Sequence, residues 1–348
     1  MSHSEAQFSE SKTGMVGHKH ADLLHSKGPR ESDETRIRAR VFAVPLPNRP
    51  APWDRCLGRV FYAAAPPDDI TRDSGLLAPA SGHGQRPVVV LMPGMSVPCS
   101  SYDWLARHLV DAGFVAVCYD HIESPIPGFE GLGPGLDIEP LKAEAEPGPC
   151  STVLGPILDA LNLLNTTSLP GCIDTDQVVL FGHSAGGTAA LFSAGWFDGI
   201  RGVVTYGAHA GVSTLLGHPA GTVLPIHEPP PTLLIGGDAD GVVAESGNRY
   251  GTMSGPTGLL KRTYQEALSG TGHGLVVLKD GQHLAPCYPH NPTLGRGFLE
   301  STSTDDPDIR TTIADLLVAF AQRTTSQTDT LESTLQQHAT TITHTELI

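Results

Sequence analysis

The sequence predicts an α/β protein, with a mostly parallel central sheet and helices on both faces. Three observations carry that expectation. Val88-Val89-Val90-Leu91-Met92 and Val178-Val179-Leu180-Phe181 are unbroken apolar runs, as strands covered on both faces require. Between such runs lie segments with helical spacing, Tyr102 to Ala112 and Thr152 to Leu164 among them. At 348 residues, the chain is long enough to bury a large core.

In chain order, residues 1–35 are polar and irregular and are expected to form a mobile tail. Arg36 to Val44 and Gly58 to Ala63 have β-type patterning and suit an antiparallel entry to the sheet. A loop rich in Pro, Asp and Gly leads to the Val88–Met92 strand, which ends in Pro93-Gly94-Met95-Ser96. Trp104, Leu105 and Leu109 share a helix face that stops at Gly113, a suitable C-cap. Phe114 to Tyr119 is the next strand, closing on Asp120-His121.

Segment 123–150 is too rich in proline and glycine for a regular element, and loops of that length are usually functional or mobile. A helix from Thr152 to Leu164 then leads to the Val178–Phe181 strand, to Gly182-His183-Ser184-Ala185-Gly186, and to a helix-forming stretch from Thr188. Arg201 to Tyr206 is a strand ending at Gly207-Ala208-His209. A Gly/Pro-rich excursion, 209–231, precedes the strand Thr232 to Ile235 and Gly236-Gly237-Asp238-Ala239-Asp240. Leu259 to Leu268 is expected to be helical. Leu275 to Leu278 is the expected final strand, before Gly281-Gln282-His283, and Ile309 to Arg323 the last helix. Residues 324–348, rich in Thr, Ser and Gln, are expected to be a polar tail. A single catalytic domain over 36–323 is the resulting expectation.

Charge is lopsided: 22 basic against 37 acidic residues, with no block of Lys or Arg. Nucleic acid and anionic membrane surfaces are therefore disfavoured as partners. Six cysteines are scattered with no C-x-x-C pair, and no zinc-like grouping appears, so no metal and no cofactor are expected. The first twenty residues lack the apolar region of a signal peptide, and no stretch approaches 18 apolar residues. The expectation is a cytoplasmic protein with no membrane span. Oligomeric state leaves no mark in the sequence.

Strand, G-x-S-x-G, helix is the context of a nucleophile elbow. A serine on so sharp a turn has strained backbone angles, and Gly182 and Gly186 remove side chains that would collide where strand and helix meet. In an open parallel sheet, ligands gather at the carboxyl ends of the strands. Ser184, Met95, Asp240 and His283 each follow a different strand. Serine needs an adjacent base, imidazole can shuttle its proton, and a buried carboxylate holds the imidazole's tautomer. Asp240 lies further into its loop than Asp238, whose ordinary role is turn formation, and can better reach a histidine. His283 follows the last expected strand, whereas His273 precedes it and His290 lies further along the same loop. His183 adjoins the serine, but so sharp a turn is expected to point neighbouring side chains apart. His121 and His209 both end strands and are candidates to line a substrate pocket. Backbone N–H groups of Met95 and Ala185 are the expected donors to an oxyanion.

VVVLMPGMS, DQVVLFGHSAGG, LLIGGDADGVV and LKDGQH, in this order, resemble an α/β-hydrolase. The P-G-x-S loop is similar to the cutinase and polyester-hydrolase branch, and to chlorophyllases and platelet-activating-factor acetylhydrolases. GRVFYAAAP is similar to the strand preceding the core in those esterases. The resemblance covers roughly residues 55 to 322 and implies the α/β-hydrolase fold. It implies Ser184 as nucleophile, Asp240 as acid and His283 as base, with Met95 and Ala185 as oxyanion donors. Secreted cutinases carry an export signal, an aromatic where Met95 stands and a Met where Ala185 stands. The implied activity is hydrolysis of a small or hydrophobic carboxylic ester. A thioesterase, lactonase, acyltransferase or non-catalytic binding homologue would share the scaffold.

Overall fold

The computed structural model describes residues 36–348 apart from 48, 69, 71–73, 81–83, 127, 252–254, 301–304 and 327. The expected N-terminal tail, 1–35, lies outside the described residues, and Thr35–Ile348 forms one unit. Its strands are β1 (Ile37–Pro45), β2 (Arg55–Ala63), β3 (Arg86–Met92), β4 (Val115–Asp120), β5 (Ile122–Ile126), β6 (Phe129–Leu132), β7 (Ile173–His183), β8 (Ile200–Tyr206), β9 (Thr232–Gly237), β10 (Gly274–Leu278) and β11 (Ile342–Leu347). All but β5 and β6 join one sheet, in the order β1-β2-β4-β3-β7-β8-β9-β10-β11. From β4 through β10 that sheet is parallel, and β1, β2 and β11 run antiparallel at its edges.

The period-2 pleat divides each buried strand between two cores. Val88, Val90, Val178 and Leu180 face one, Val89, Leu91, Val179 and Phe181 the other. The first face is covered by α2 (Leu154–Thr166), α3 (Ala185–Leu191) and α5 (Gly255–Arg262), with α4 (Gly241–Arg249) beside them. The second is covered by α1 (Asp103–Asp111) and α6 (Pro307–Thr325), through Leu105, Leu109, Ile313, Leu317 and Phe320. Strands sandwiched this way show no alternation in sequence, because neither face meets water. Gly113, at φ 98°, turns the chain from α1 into β4.

Two expectations are corrected here. Segment 123–150 is not wholly irregular, since β5 and β6 pair as a hairpin. Residues 324–348 are not a tail. α6 continues to Thr325, α7 (Leu331–Gln337) packs on it, and β11 pairs antiparallel with β10, Val277 opposite His344. Edge strands carry polar residues because one edge and much of one face meet water, and that composition disguised Ile342-Thr343-His344-Thr345-Glu346-Leu347. The link is held by fully buried Leu331 and by His338, whose Nε2 bonds Asp315 Oδ2 at 2.9 Å. Leu331→Ala should therefore cost about 2–5 kcal/mol in denaturant unfolding. A change within error would mean that this end of the chain adds nothing to the fold.

Candidate active site

Ser184 sits between β7 and α3 with φ 53° and ψ −124°, a conformation that L-residues rarely adopt. The glycines around it are sterically required. A Cβ on Gly182 would collide with Gly187 Cα, and one on Gly186 would run into the main chain of Met92 and Pro93 at the end of β3. Thus the motif's glycines let β7, α3 and β3 converge on one point.

The loop after β9 brings in Asp240 and the loop after β10 brings in His283, both almost fully buried. His283 Nδ1–H donates to Asp240 Oδ2 at 2.8 Å, and Asp240 Oδ1 caps α4 by accepting from Val243 N at 2.8 Å. Gly207, at φ 62°, makes room for the pair: a Cβ there would stand 2.9 Å from His283 Nδ1 and 3.0 Å from Asp240 Oδ2. His283 N–H also donates to the carboxylate of Glu300. Burial opposes a charge on His283, but the charge and hydrogen bond of Asp240 and the charge of Glu300 outweigh it. The ring's pKa is raised above its ordinary value. Burial in turn raises the pKa of Glu300.

Ser184 and His283 line one cavity of about 570 Å³, together with Met95, Ala185 and His209. Neither the Met95 N–H nor the Ala185 N–H donates to a protein acceptor among the described residues. Ser96, at φ 61°, donates its N–H to Leu132 O at 2.9 Å, so the β5–β6 hairpin holds the Met95 loop from outside. Leu136 and Leu141 from segment 123–150, and Val212 and Leu216 from segment 209–231, form much of the apolar wall. The two segments meet where Ala143 N–H donates to Leu216 O at 3.0 Å. His209 stands edge-on to Tyr250, ring centroids 5.5 Å apart, and burial pushes its pKa down to about 4. It is a neutral polar group in that wall.

Other residues singled out from the sequence lie apart from the cavity. His121 does not line it; its Nδ1 is 3.5 Å from Glu123 Oε2, buried where β4 passes into the hairpin. Asp238 is exposed and accepts from Asp280 N at 2.7 Å, tying two turns together. His273, at the start of β10, bonds Ser269 O at the far end of the sheet. His290 does not line the cavity either. His183, set aside because of the turn, is fully buried and its ring centroid is 5.0 Å from that of His283. Glu300 carried no signal, being separated from His283 by an irregular stretch of chain.

With this geometry in view, three comparisons bear on the chain. The model of the alpha/beta hydrolase family matches residues 89–340. Among solved structures, the chain is similar to a ferulic acid esterase from Streptomyces cinnamoneus. That likeness has a TM-score of 0.55 and 15% identity, and covers 85% of this chain and 92% of the other. At that identity the likeness shows the fold. No curated protein matches the sequence.

Proposed function

Because the chain belongs to the alpha/beta hydrolase family, we propose that it is a serine esterase, cleaving carboxylic esters through an acyl-enzyme. The observation that carries this reading is the 2.8 Å His283–Asp240 hydrogen bond beside the cavity that Ser184 lines. Ser184 is the nucleophile, His283 the base and Asp240 the carboxylate that orients it. With Nδ1–H held by Asp240, the lone pair of His283 is on Nε2. Nε2 takes the Ser184 proton as Oγ bonds to the ester carbonyl carbon. The N–H groups of Met95 and Ala185 hold the resulting oxyanion. Collapse re-forms the carbonyl and breaks the C–O bond, and the alcohol leaves with the proton from His283. Water, deprotonated by the same Nε2, then releases the acid and frees Ser184. These steps need no cofactor.

The substrate group in the cavity is largely apolar, matching walls built from Leu136, Leu141, Val212 and Leu216, with His209 offering a hydrogen bond to a polar substituent. The Pro93-Gly94-Met95-Ser96 loop supports kinship with the cutinase, chlorophyllase and platelet-activating-factor acetylhydrolase branch. Esters and thioesters of graded acyl length, followed by mass measurement on intact protein, test the proposal. Turnover should be higher with esters, and an acyl adduct should be trapped. Higher turnover with every thioester would change the substrate class, and no turnover with any member would refute catalysis.

The pH profile gives a separate check. Only neutral imidazole accepts the serine proton, and a raised pKa keeps His283 protonated to higher pH. The acid limb of kcat/KM should therefore lie above the unperturbed value of ~6.5. A limb at or below that value would show that Asp240 and Glu300 do not act on the ring.

A further inference from the structure

Beside the catalytic hydrogen bonds runs a second chain of them that the proposed mechanism leaves unused. Gly94 N lies 3.1 Å from the Tyr102 hydroxyl, that hydroxyl 2.7 Å from His183 Nδ1, and His183 Nε2 2.9 Å from the main-chain oxygen of His283. Tyr102 and His183 have essentially no exposure. One end of the chain is the residue before Met95. The other is the base itself. We propose that Tyr102 and His183 are positioning residues that tie the oxyanion loop to the main chain of His283, holding the Met95 N–H and the base in one relative geometry.

Elementary chemistry sets every donor and acceptor. A carbonyl oxygen only accepts, so His183 Nε2 carries a hydrogen and donates to His283 O. Burial lowers the pKa of His183 to about 3, so its ring holds a single proton and Nδ1 is a lone pair. The Tyr102 O–H must then donate to Nδ1, which leaves the phenolic oxygen to accept from Gly94 N–H. No member can reverse its role without leaving a buried polar group unpaired. Cys287 Sγ, 4.0 Å from both the Tyr102 oxygen and His183 Nδ1, adds only a weak contact.

Contact as well as hydrogen bonding locks the loop to the ring. A Cβ on Gly94 would stand 2.9 Å from His183 Nδ1, so the oxyanion loop rests directly on the imidazole. A histidine that merely satisfied the core could bond any buried carbonyl. This one, with Tyr102, spans the two loops whose separation matters to the transition state, where displacements of about 0.5 Å are felt. It also explains why a bulky polar ring follows Gly182 in the elbow: the turn aims it under the site rather than away from it.

The inference rests on the esterase reading, and the Tyr102→Phe variant tests it against wild type as control. kcat for a short-chain ester should fall about 10-fold, less than the 10²–10³ of deleting an oxyanion donor outright, because the donor remains but is no longer held. KM should stay within about two-fold, and affinity for an alkylboronic acid, which forms a tetrahedral adduct, should fall in step with kcat. His183→Gln keeps a donor for His283 O and serves as second arm should the first variant not fold. The double variant should be no slower than the slower single one, as for members of one chain. Unchanged kcat, a loss confined to KM, unaltered boronate affinity or multiplicative losses would each overturn the brace while leaving the esterase reading in place. A wild type inert to all esters would sink both together.

Discussion

Replacing Ser184 with alanine should remove nearly all turnover, by a factor on the order of 10³ to 10⁶, with the fold intact. The substitution deletes one oxygen from a half-buried side chain, and the turn's steric demands are met by Gly182 and Gly186 rather than by the serine. A fluorophosphonate should label wild type once, at Ser184, and the variant not at all. Peptide mapping after labelling identifies the residue, and circular dichroism checks the fold. Labelling at another serine, with turnover retained in Ser184→Ala, would sink the assignment of the nucleophile.

Asp240→Asn should lower kcat by about 10⁴. The asparagine amide donates where the carboxylate accepted, so His283 is driven to the tautomer with its hydrogen on Nε2, and no lone pair faces the serine. Asn remains a good N-cap, so the Val243 N–H bond and α4 survive, and the loss is chemical rather than structural. Asp238→Asn is the control. Asp238 is exposed and its carboxylate ties one turn to another through Asp280 N without touching the His283 ring, so its replacement should change the rate far less. A steep loss in Asp238→Asn beside a near-normal Asp240→Asn would reverse the choice of acid. His283→Ala should abolish the acid limb of the pH profile together with most activity.

The fold was legible because its physics is local. Val88–Met92 and Val178–Phe181 are buried on both faces, and a covered parallel sheet requires runs of that kind alternating with amphipathic helices. The elbow was legible because its glycines flank one serine. Gly182 is demanded by contact with Gly187 five residues on, Gly186 by the main chain of Met92 and Pro93 at the end of β3, and the two demands appear together as a spacing around Ser184. Position at a strand's end then selected Ser184, Met95, Asp240 and His283 out of many candidates, sixteen histidines included. β11 escaped because an edge strand need not be apolar, and α4 because it is short and buries just two apolar side chains, Val242 and Val243.

What the sequence determined by itself was which residue types stand at the ends of which strands. Only the tertiary structure decided which of them meet. The 2.8 Å bond between Asp240 and His283 depends on two loops converging and on the absence of a side chain at Gly207, none of which leaves a pattern along the chain. Segments 123–150 and 209–231 become walls by folding against each other, where Ala143 bonds Leu216 and His218 bonds Leu141. His183 and Glu300 bond the main chain of His283 from 100 and 17 positions away, and Tyr102 bonds His183 from 81 positions away. Hydrogen bonds between distant segments impose no spacing on the sequence, because folding sets their geometry, and so they are read only from the folded chain.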